Sequence, residues 1–475
     1  MSPAPCRVTA EMNEPQAIPL QDVCALTGVV MPVRQLGRQQ LTSDGRKCNQ
    51  ILATLAVSLF VVSAGSTMVW PLYAMPQLLA QNQLVLSKED GYRIRVMASL
   101  GAVVGAMASG CLADKFGRKI IVSATSAVFL MTWILTSTAN SVGLLYTARF
   151  VAGLPTGVVL VVVPVYVGEV ADRTTRGALG CLVQAALVLG DLLTDVVSFY
   201  FGYVYLGIMA ASLSVLALVI MLKIPESPPY LVRKHAVDDT VASLRFLRGA
   251  KYDMTKELED VKHYVTEPTH YDNLTSARTA KTFLIFLCLL LSRSLCCLDE
   301  VVDSTSHLFY PSRIRLRAVA LDMFLALVQL VFSCTACFVM DRIGRKTPLV
   351  VSAGVIALCA LTVTSCVSSN SFVRSDARLA CRYVYIVAFS VGLGPVPLMM
   401  LGEMFPYSVK TKAVGTLLCT EWLLRFFVSS LVLNWVGDDK LSWFIGFVCT
   451  SAIILVFCLV PETRGKTLRE TQNLR

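Results

Sequence analysis

The stretch Gly110-Cys-Leu-Ala-Asp114-Lys-Phe-Gly117-Arg118-Lys119 ends an apolar run with an acid, a glycine and a basic cluster. The stretch Asp341-Arg-Ile-Gly344-Arg345-Lys346 repeats this pattern 227 residues later, counted from Asp114 to Asp341, and again follows an apolar run. Both copies separate apolar segments that are long enough to cross a bilayer. The repeat therefore predicts a bundle of membrane helices that arose by duplication.

The composition indicates a chain that is largely covered by lipid. Of the 475 residues, 55% are hydrophobic and 16% are charged, and the mean hydropathy is +0.63. The net charge of +10 could suggest a nucleic-acid partner. However, the Lys and Arg residues cluster between apolar runs, as the positive-inside rule requires of a membrane protein. We therefore expect contact with the lipid bilayer and no nucleic-acid partner.

The cysteines and histidines give no indication of a metal site. Most of the 16 cysteines lie singly in apolar segments or in the N-terminal tail, and the four histidines lack the spacing of metal ligands. The sequence has no nucleotide-binding Gly-x4-Gly-Lys loop and no convincing Ser/His/Asp or Cys/His arrangement. We expect no metal, no cofactor and no enzymatic activity.

Twelve apolar segments of about 20 residues predict twelve membrane spans. The spans lie at 51–73, 95–113, 119–139, 142–166, 179–199 and 202–223, and then at 282–308, 318–340, 348–368, 380–401, 413–436 and 442–460. The predicted domains are a cytoplasmic tail at 1–48, a six-helix half at 49–224, a cytoplasmic helical linker at 225–281, a second six-helix half at 282–460 and a cytoplasmic tail at 461–475.

The linker and the orientation follow from local patterns. Apolar residues from Val241 to Leu247 and from Leu258 to Val265 recur at helical spacing, which favours short amphipathic helices. Most basic residues between spans fall on the side that both termini share, which predicts that this side is cytoplasmic. Three basic residues fall on the other side against this trend, namely Arg313, Arg315 and Arg317.

Two further motifs recur in the same order. Glu169-x6-Arg176 matches Glu403-x6-Lys410 at an offset of 234 residues, counted from Glu169 to Glu403. Pro225-Glu-Ser matches Pro461-Glu-Thr at an offset of 236, counted from Pro225 to Pro461. The matches indicate a parallel repeat of six helices, which is the architecture of transporters whose two halves rock about a central site.

Several further elements accompany these repeats in order along the chain. They include Arg149-Phe-x2-Gly153, Gln184, Gly394-Pro-x-Pro397, Glu403-x-Phe-Pro406 and Pro461-Glu-Thr-Arg-Gly-Lys466. Together they resemble the sugar-porter family of the major facilitator superfamily from about 50 to 470. The run Trp70-Pro-Leu-Tyr-Ala-Met-Pro76 is similar to the insect branch of facilitated trehalose transporters. The resemblance implies an all-α membrane protein with twelve helices in two six-helix halves.

The resemblance also implies a conformational latch made of charged residues at the cytoplasmic helix ends. Its salt bridges would hold the outward-open state and break as the protein opens inward. The alternative is that these residues only anchor the helices at the lipid headgroups, although Lys and Arg alone would set the topology. The predicted latch comprises Asp114, Arg118, Glu169, Arg176, Asp341, Arg345, Glu403 and Lys410.

A substrate site is expected near the bilayer midplane, between the halves. Gln184 matches the sugar-binding glutamine of the family, and the alternative is a bond between helices that avoids an unpaired buried amide. The predicted substrate-binding residues are Gln184, Arg293, Ser294, Asp299, Gln329, Gly394, Glu421 and Trp422.

The predicted site departs from the family in its charges. The seventh span usually carries Gln-Gln-x-x-Gly-x-Asn, where this chain has Arg293, Ser294, Cys297 and Asp299. Glu421 stands where the family tends to have Asn. Charges near the midplane are costly unless they face water or a partner, and Arg293 could pair with Asp299 or Glu421.

Three functions remain open on the sequence alone. The first is facilitated diffusion of trehalose or a hexose by a protein that functions as a monomer in the plasma membrane. The second is transport of a charged or other polar solute, with or without coupling to protons. The third is a sugar sensor that does not transport, although the long signalling tail that usually marks such proteins is missing after Pro461-Glu-Thr.

Overall fold

A computed structural model describes residues 47–80, 88–249, 252–266, 277–296, 312–365, 371–435 and 438–472. The described residues form α-helices joined by short connections. The predicted N-terminal tail at 1–48 lies almost wholly outside these ranges.

Six helices precede the linker, and each contains most of one predicted span. They are α1 (Lys47–Ala80), α2 (Lys88–Phe116), α3 (Arg118–Ser137), α4 (Val142–Val170), α5 (Arg176–Tyr200) and α6 (Tyr203–Met221). Short helices occupy the linker, namely α7 (Pro228–Arg233), α8 (Val237–Arg248) and α9 (Thr255–Thr266).

Most of the helices that follow the linker are also long and apolar. They are α10 (Ala277–Cys296), α11 (Ser312–Ile343), α12 (Lys346–Ser365), α13 (Ser371–Val391), α14 (Pro395–Met404), α15 (Lys410–Trp435) and α16 (Asp438–Leu459). A final short helix, α17 (Leu468–Gln472), ends the described chain. The predicted span at 282–308 is described only as far as Cys296, where α10 ends.

The tenth predicted span is not one continuous helix. The prediction at 380–401 falls on α13 and α14, which are separated at residues 392–394. Pro395 has no backbone N–H to continue the hydrogen-bond ladder, and the Gly394 N–H donates to the Phe389 carbonyl at 2.8 Å. The Gly-Pro-x-Pro sequence thus breaks the helix at its own position.

Glycine is needed at the turn in both copies of the opening motif. Gly117 and Gly344 have φ values of 104° and 100°, in a region where side chains with a Cβ are strained. These residues let α3 and α12 begin immediately after α2 and α11. The repeated sequence pattern therefore corresponds to a repeated backbone geometry.

Within the described ranges, nine segments are long and apolar enough to cross a membrane. They are Lys47–Met75, Glu89–Phe116, Arg118–Ser137, Val142–Val170, Arg176–Tyr200, Thr279–Cys296, Ala320–Ile343, Lys346–Val363 and Ala380–Met404. Shorter apolar helices lie at Tyr205–Met221 and Gly446–Leu459. Helix α15 is outside this set, and it carries four charged side chains, Lys410, Lys412, Glu421 and Arg425.

Helices from before and after the linker pack against each other. α2 contacts α15, α5 contacts α11, and α14 lies against both α4 and α5. The apolar core is continuous across these contacts and includes Phe60, Tyr166, Phe286 and Phe405. Gly168 lies against the backbone of Gly402, so the two copies of the Glu169 and Glu403 motif are close to one another.

Candidate substrate cavity and charge clusters

The first charge cluster consists of Asp114, Arg118, Glu169 and Lys410, and it is centred on the fully buried Arg118. Arg118 Nε lies 3.2 Å from Glu169 Oε2, and its Nη2 lies 3.4 Å from Asp114 Oδ1. Arg118 Nη2 also donates to the Thr411 hydroxyl at 3.3 Å. The cluster therefore connects α2, α3 and α4 to the start of α15.

Lys410 adds a second cation to this cluster. Its Nζ lies 3.9 Å from Glu169 Oε1 and 5.2 Å from the centre of the Tyr264 ring, which comes from linker helix α9. Lys410 precedes the predicted span at 413–436. Burial lowers the pKa of its ammonium group to about 8, against the opposing pull of the Glu169 carboxylate.

The second charge cluster consists of Arg176, Asp341, Arg345 and Glu403. Arg345 Nη2 lies 3.2 Å from Glu403 Oε1, and its Nη1 lies 3.5 Å from Asp341 Oδ1. The Asp341 carboxylate accepts hydrogen bonds from the backbone N–H groups of Gly177 and Ala178 at 3.0 and 2.9 Å. Asp341 of α11 thereby caps the N-terminus of α5, where a negative charge is favoured.

Arg176 was predicted to form a salt bridge of the latch, but its acceptors in the structure are backbone carbonyls. It donates to the carbonyls of Lys466 and Ala171 at 3.2 and 3.3 Å. Among the described residues, no carboxylate lies within 4.0 Å of its guanidinium. Arg176 thus holds the segment before α17, whereas Lys410, at the matching position of the repeat, approaches Glu169.

Two further acids belong to these clusters and were not among the predicted site residues. Glu226 accepts from the backbone N–H groups of Arg118 and Lys119 at 3.0 to 3.2 Å, and so caps α3. Glu462 accepts from the backbone N–H of Arg345 at 3.0 Å and caps α12 in the same way. The repeated Pro-Glu-Ser and Pro-Glu-Thr motifs were the signal for this pair.

A cavity of about 240 Å³ lies among helices from both sides of the linker. Of the predicted substrate-binding residues, it is lined by Gln184, Arg293, Gln329, Glu421 and Trp422. Ser294 and Gly394 do not line it but bond to residues that do, and Asp299 lies outside the described residues. The cavity therefore gathers side chains from α5, α10, α11 and α15.

Arg293 and Glu421 form a buried ion pair in the cavity wall. Arg293 Nη1 lies 2.7 Å from Glu421 Oε1, and Glu421 is one of the two partners expected for it. Arg293 Nη2 donates to Gln184 Oε1 at 3.3 Å, and its Nε donates to the Gly394 carbonyl at 3.2 Å. Ser294 Oγ donates to Glu421 Oε1 at 2.9 Å.

The rest of the cavity is also rich in ionisable side chains. Arg425 Nη2 lies 3.2 Å from Glu421 Oε1, and its guanidinium carbon lies 5.2 Å from the centre of the Trp422 ring. Asp322 of α11 and Arg382 of α13 form an ion pair at 3.6 Å. The other ionisable lining residues are Tyr73, Arg95, Asp191 and Asp195.

Sequence reasoning did not propose Tyr73, Arg95, Asp322 or Arg382 as site residues. The available signal was an ionisable side chain inside or at the edge of a predicted apolar span, which marks a functional position by default. Within the described residues, no group of three or more His, Cys, Asp and Glu side chains is placed to hold a metal ion.

A helical bundle with many apolar helices and a cavity lined by ionisable side chains from helices on both sides of the linker is an architecture that membrane transporters use. Residues 55–474 match the model of the family described as "Sugar (and other) transporter". The match covers most of the chain, so the chain belongs to that family. It is therefore a multi-pass membrane protein of a transporter family.

Similar proteins and structures agree with this assignment. The chain is 29% identical to the facilitated trehalose transporter of Bombyx mori, over 89% of this chain and 86% of that protein. It is 27% identical to the facilitated glucose transporter member 8 of solute carrier family 2 from Mus musculus, over 90% and 94% of the two chains. The fold matches the proton:xylose symporter XylE bound to 6-bromo-6-deoxy-D-glucose, with a TM-score of 0.79 at 20% identity, over 90% of this chain and 99% of that chain.

Proposed function

We propose that this protein carries an uncharged sugar, trehalose or a hexose, across the plasma membrane by facilitated diffusion. The relatives in Bombyx mori and Mus musculus are named as facilitated trehalose and glucose transporters. The observation that carries the proposal is the cavity itself, because Gln184 of α5 and residues of α10 and α15 line it together. Polar side chains in a largely apolar bundle can exchange hydrogen bonds with sugar hydroxyls.

The proposed mechanism is alternating access by a monomer surrounded by lipid. Twelve spans form two six-helix halves on either side of the linker, with both termini in the cytoplasm. The two charge clusters form the latch. While their salt bridges are formed, the cytoplasmic side stays shut and the cavity opens outward. Support comes from the contacts that join residues on both sides of the linker, such as Lys410 with Glu169.

Uptake by proteoliposomes tests this function. We expect saturable entry of radiolabelled trehalose or D-glucose that does not respond to an imposed proton gradient. The Gln184→Ala variant should lose substrate affinity, whereas Asp114→Asn should slow cycling with binding largely retained. Absence of flux for every solute in a correctly folded preparation would refute the proposal.

A second function is favoured by one observation, the charged lining of the cavity. Arginines and carboxylates occur there in equal number, namely Arg95, Arg293, Arg382 and Arg425 with Asp191, Asp195, Asp322 and Glu421. Such a lining suits a charged or zwitterionic solute, and a carboxylate there could carry a proton. Uptake of charged solutes, or sugar uptake that follows the proton gradient, would favour this function over the first.

A further inference from the structure

Each of the three guanidinium nitrogens of Arg293 donates to a protein acceptor in the cavity wall. Its three nitrogens donate to Glu421 Oε1, to Gln184 Oε1 and to the Gly394 carbonyl. Only 6% of Arg293 is exposed, so water cannot easily replace these partners. The side chain therefore joins α10 to α5, to the helix break before α14 and to α15.

The bond with Gln184 differs from the other two because it reaches a helix on the other side of the linker. At 3.3 Å it is also longer than the 2.7 Å contact between Arg293 and Glu421. A longer hydrogen bond is the weaker one and breaks first. A solute hydroxyl that donates to the lone pair of Gln184 Oε1 occupied by Arg293 Nη2 takes the place of that guanidinium nitrogen.

Glu421 does not depend on Arg293 alone. Its Oε1 also accepts from Arg425 Nη2 at 3.2 Å and from Ser294 Oγ at 2.9 Å. Loss of the Arg293 guanidinium would leave this buried carboxylate with a cation and a hydroxyl, so it would not become an unpaired charge. Arg425 and Ser294 can therefore replace Arg293 as partners of Glu421, whereas the hydrogen bond to Gln184 comes from Arg293.

We propose that Arg293 competes with the solute for Gln184, and that this competition sets the affinity of the cavity for hydroxyl-bearing solutes. Arg293 holds α10 against α5 until a solute hydroxyl displaces it. The inference rests on the proposed function, because it takes a sugar as the solute.

Equilibrium binding of radiolabelled D-glucose and trehalose to the purified full-length protein tests this role. Arg293→Gln frees the Gln184 oxygen, so we expect binding about tenfold tighter than in the wild type, which corresponds to about 1.4 kcal/mol. Arg293→Lys retains a cation for Glu421 but lacks the forked guanidinium, and it should also bind more tightly. The lysine variant serves if Arg293→Gln does not yield folded protein.

Two variants act as controls. Arg425→Gln removes a guanidinium that donates to the same oxygen of Glu421. The bond that this variant loses is to Glu421 and not to Gln184, so the variant should not raise the affinity for sugar. In a Gln184→Ala background, Arg293→Gln should give no gain, because the competed acceptor is absent.

The outcomes separate this inference from the proposed function. If the wild type binds sugar and both Arg293 variants bind it equally or more weakly, the competition is refuted and sugar transport stands. A gain that persists without Gln184 also refutes it. If neither the wild type nor the Arg293 variants bind either sugar, both proposals fail.

Discussion

Asp114 and Arg118 of the first charge cluster contact the other side of the linker through side chains, whereas Asp341 of the second caps the N-terminus of a helix there. Asp114 accepts from the Thr411 hydroxyl at 2.9 Å, and Lys410 lies 3.9 Å from Glu169. Asp341, in contrast, accepts from two backbone N–H groups at the start of α5. Matching sequence motifs thus produce two different connections between the helices on either side of the linker.

The two charge clusters share matching residue positions in the sequence, but the contacts that those residues make differ between the clusters. Arg118 and Arg345 each lie within 3.5 Å of two carboxylates, so the centre of each cluster is the same. The outer members differ, because Arg176 bonds carbonyls while Lys410 approaches a carboxylate. We therefore expect matched variants in the two clusters to have unequal effects.

The largest effect is expected when the central arginines are removed. Arg118→Leu removes the nearest cation of Asp114 and Glu169 and leaves them only the more distant Arg233 at 3.7 Å and Lys410 at 3.9 Å. Losing one partner of a buried ion pair costs about 3–5 kcal/mol. Arg345→Leu should cost less, because Asp341 keeps its two backbone donors. Thermal unfolding of the two variants in detergent, with size-exclusion profiles as a folding check, compares them. An equal or greater loss in Arg345→Leu would contradict the difference between the clusters.

The next largest effect concerns the two aspartates. Asp341→Asn removes the charge that caps α5 and one of its two acceptor oxygens, which should weaken the contact between α11 and α5 by about 2–4 kcal/mol. Asp114→Asn keeps an oxygen that can accept from Thr411, so its effect should be smaller. Rates of sugar exchange, measured with the binding affinity on the same samples, give the comparison. Loss of binding in parallel with the rate would argue against a latch and for a role in the site.

A smaller difference is expected at the matched hydroxyls. Thr463 Oγ1 donates to Glu403 Oε2 at 2.6 Å, whereas Ser227 Oγ has no hydrogen-bond partner among the described residues. Thr463→Val should destabilise the protein by about 1.5–3 kcal/mol because a hydrogen bond to a carboxylate is lost. Ser227→Ala should be close to neutral. Equal shifts in the melting temperature of the two variants would show that the hydroxyl bond contributes little.

The smallest effect is a pH dependence that belongs to the first cluster. The pKa of Lys410 is lowered to about 8, so its ammonium group loses its proton as the pH rises through that value. Its attraction to Glu169 is then lost, and sugar exchange should become about two- to fivefold slower, in the same direction as Asp114→Asn and within the range of a weak ion pair. Exchange rates of the wild type and Lys410→Arg from pH 7 to pH 9 test this. Arginine stays protonated, so a fall in rate that persists in Lys410→Arg would exclude Lys410 as its source.

Local sequence patterns predicted the helices well because a helix is determined by short-range spacing. The apolar runs, the turn glycines Gly117 and Gly344 and the Gly-Pro-x-Pro break all act within a few residues. The repeats also predicted which charged residues would lie at the helix ends. The sequence did not show that Arg176 would bond carbonyls, since that depends on where the segment before α17 packs.

The cavity was less predictable than the helices. Pairing of Arg293 with Glu421 joins residues 128 positions apart, and Asp299 was an equal candidate by sequence. Arg382 was missed because it does not stand in any motif. Tyr73 was missed because the run from Trp70 to Pro76 indicated only the branch of the family. Side chains of this kind meet only through the packing of several helices, which a linear pattern does not encode.

The most direct test of the proposed function is equilibrium exchange of labelled trehalose and D-glucose in proteoliposomes, with equal sugar concentrations on both sides and no ion gradient. We predict saturable exchange by the wild type, with affinity reduced in Gln184→Ala and raised in Arg293→Gln. Exchange no faster than in protein-free liposomes, from protein that is folded and monodisperse, would contradict facilitated sugar transport.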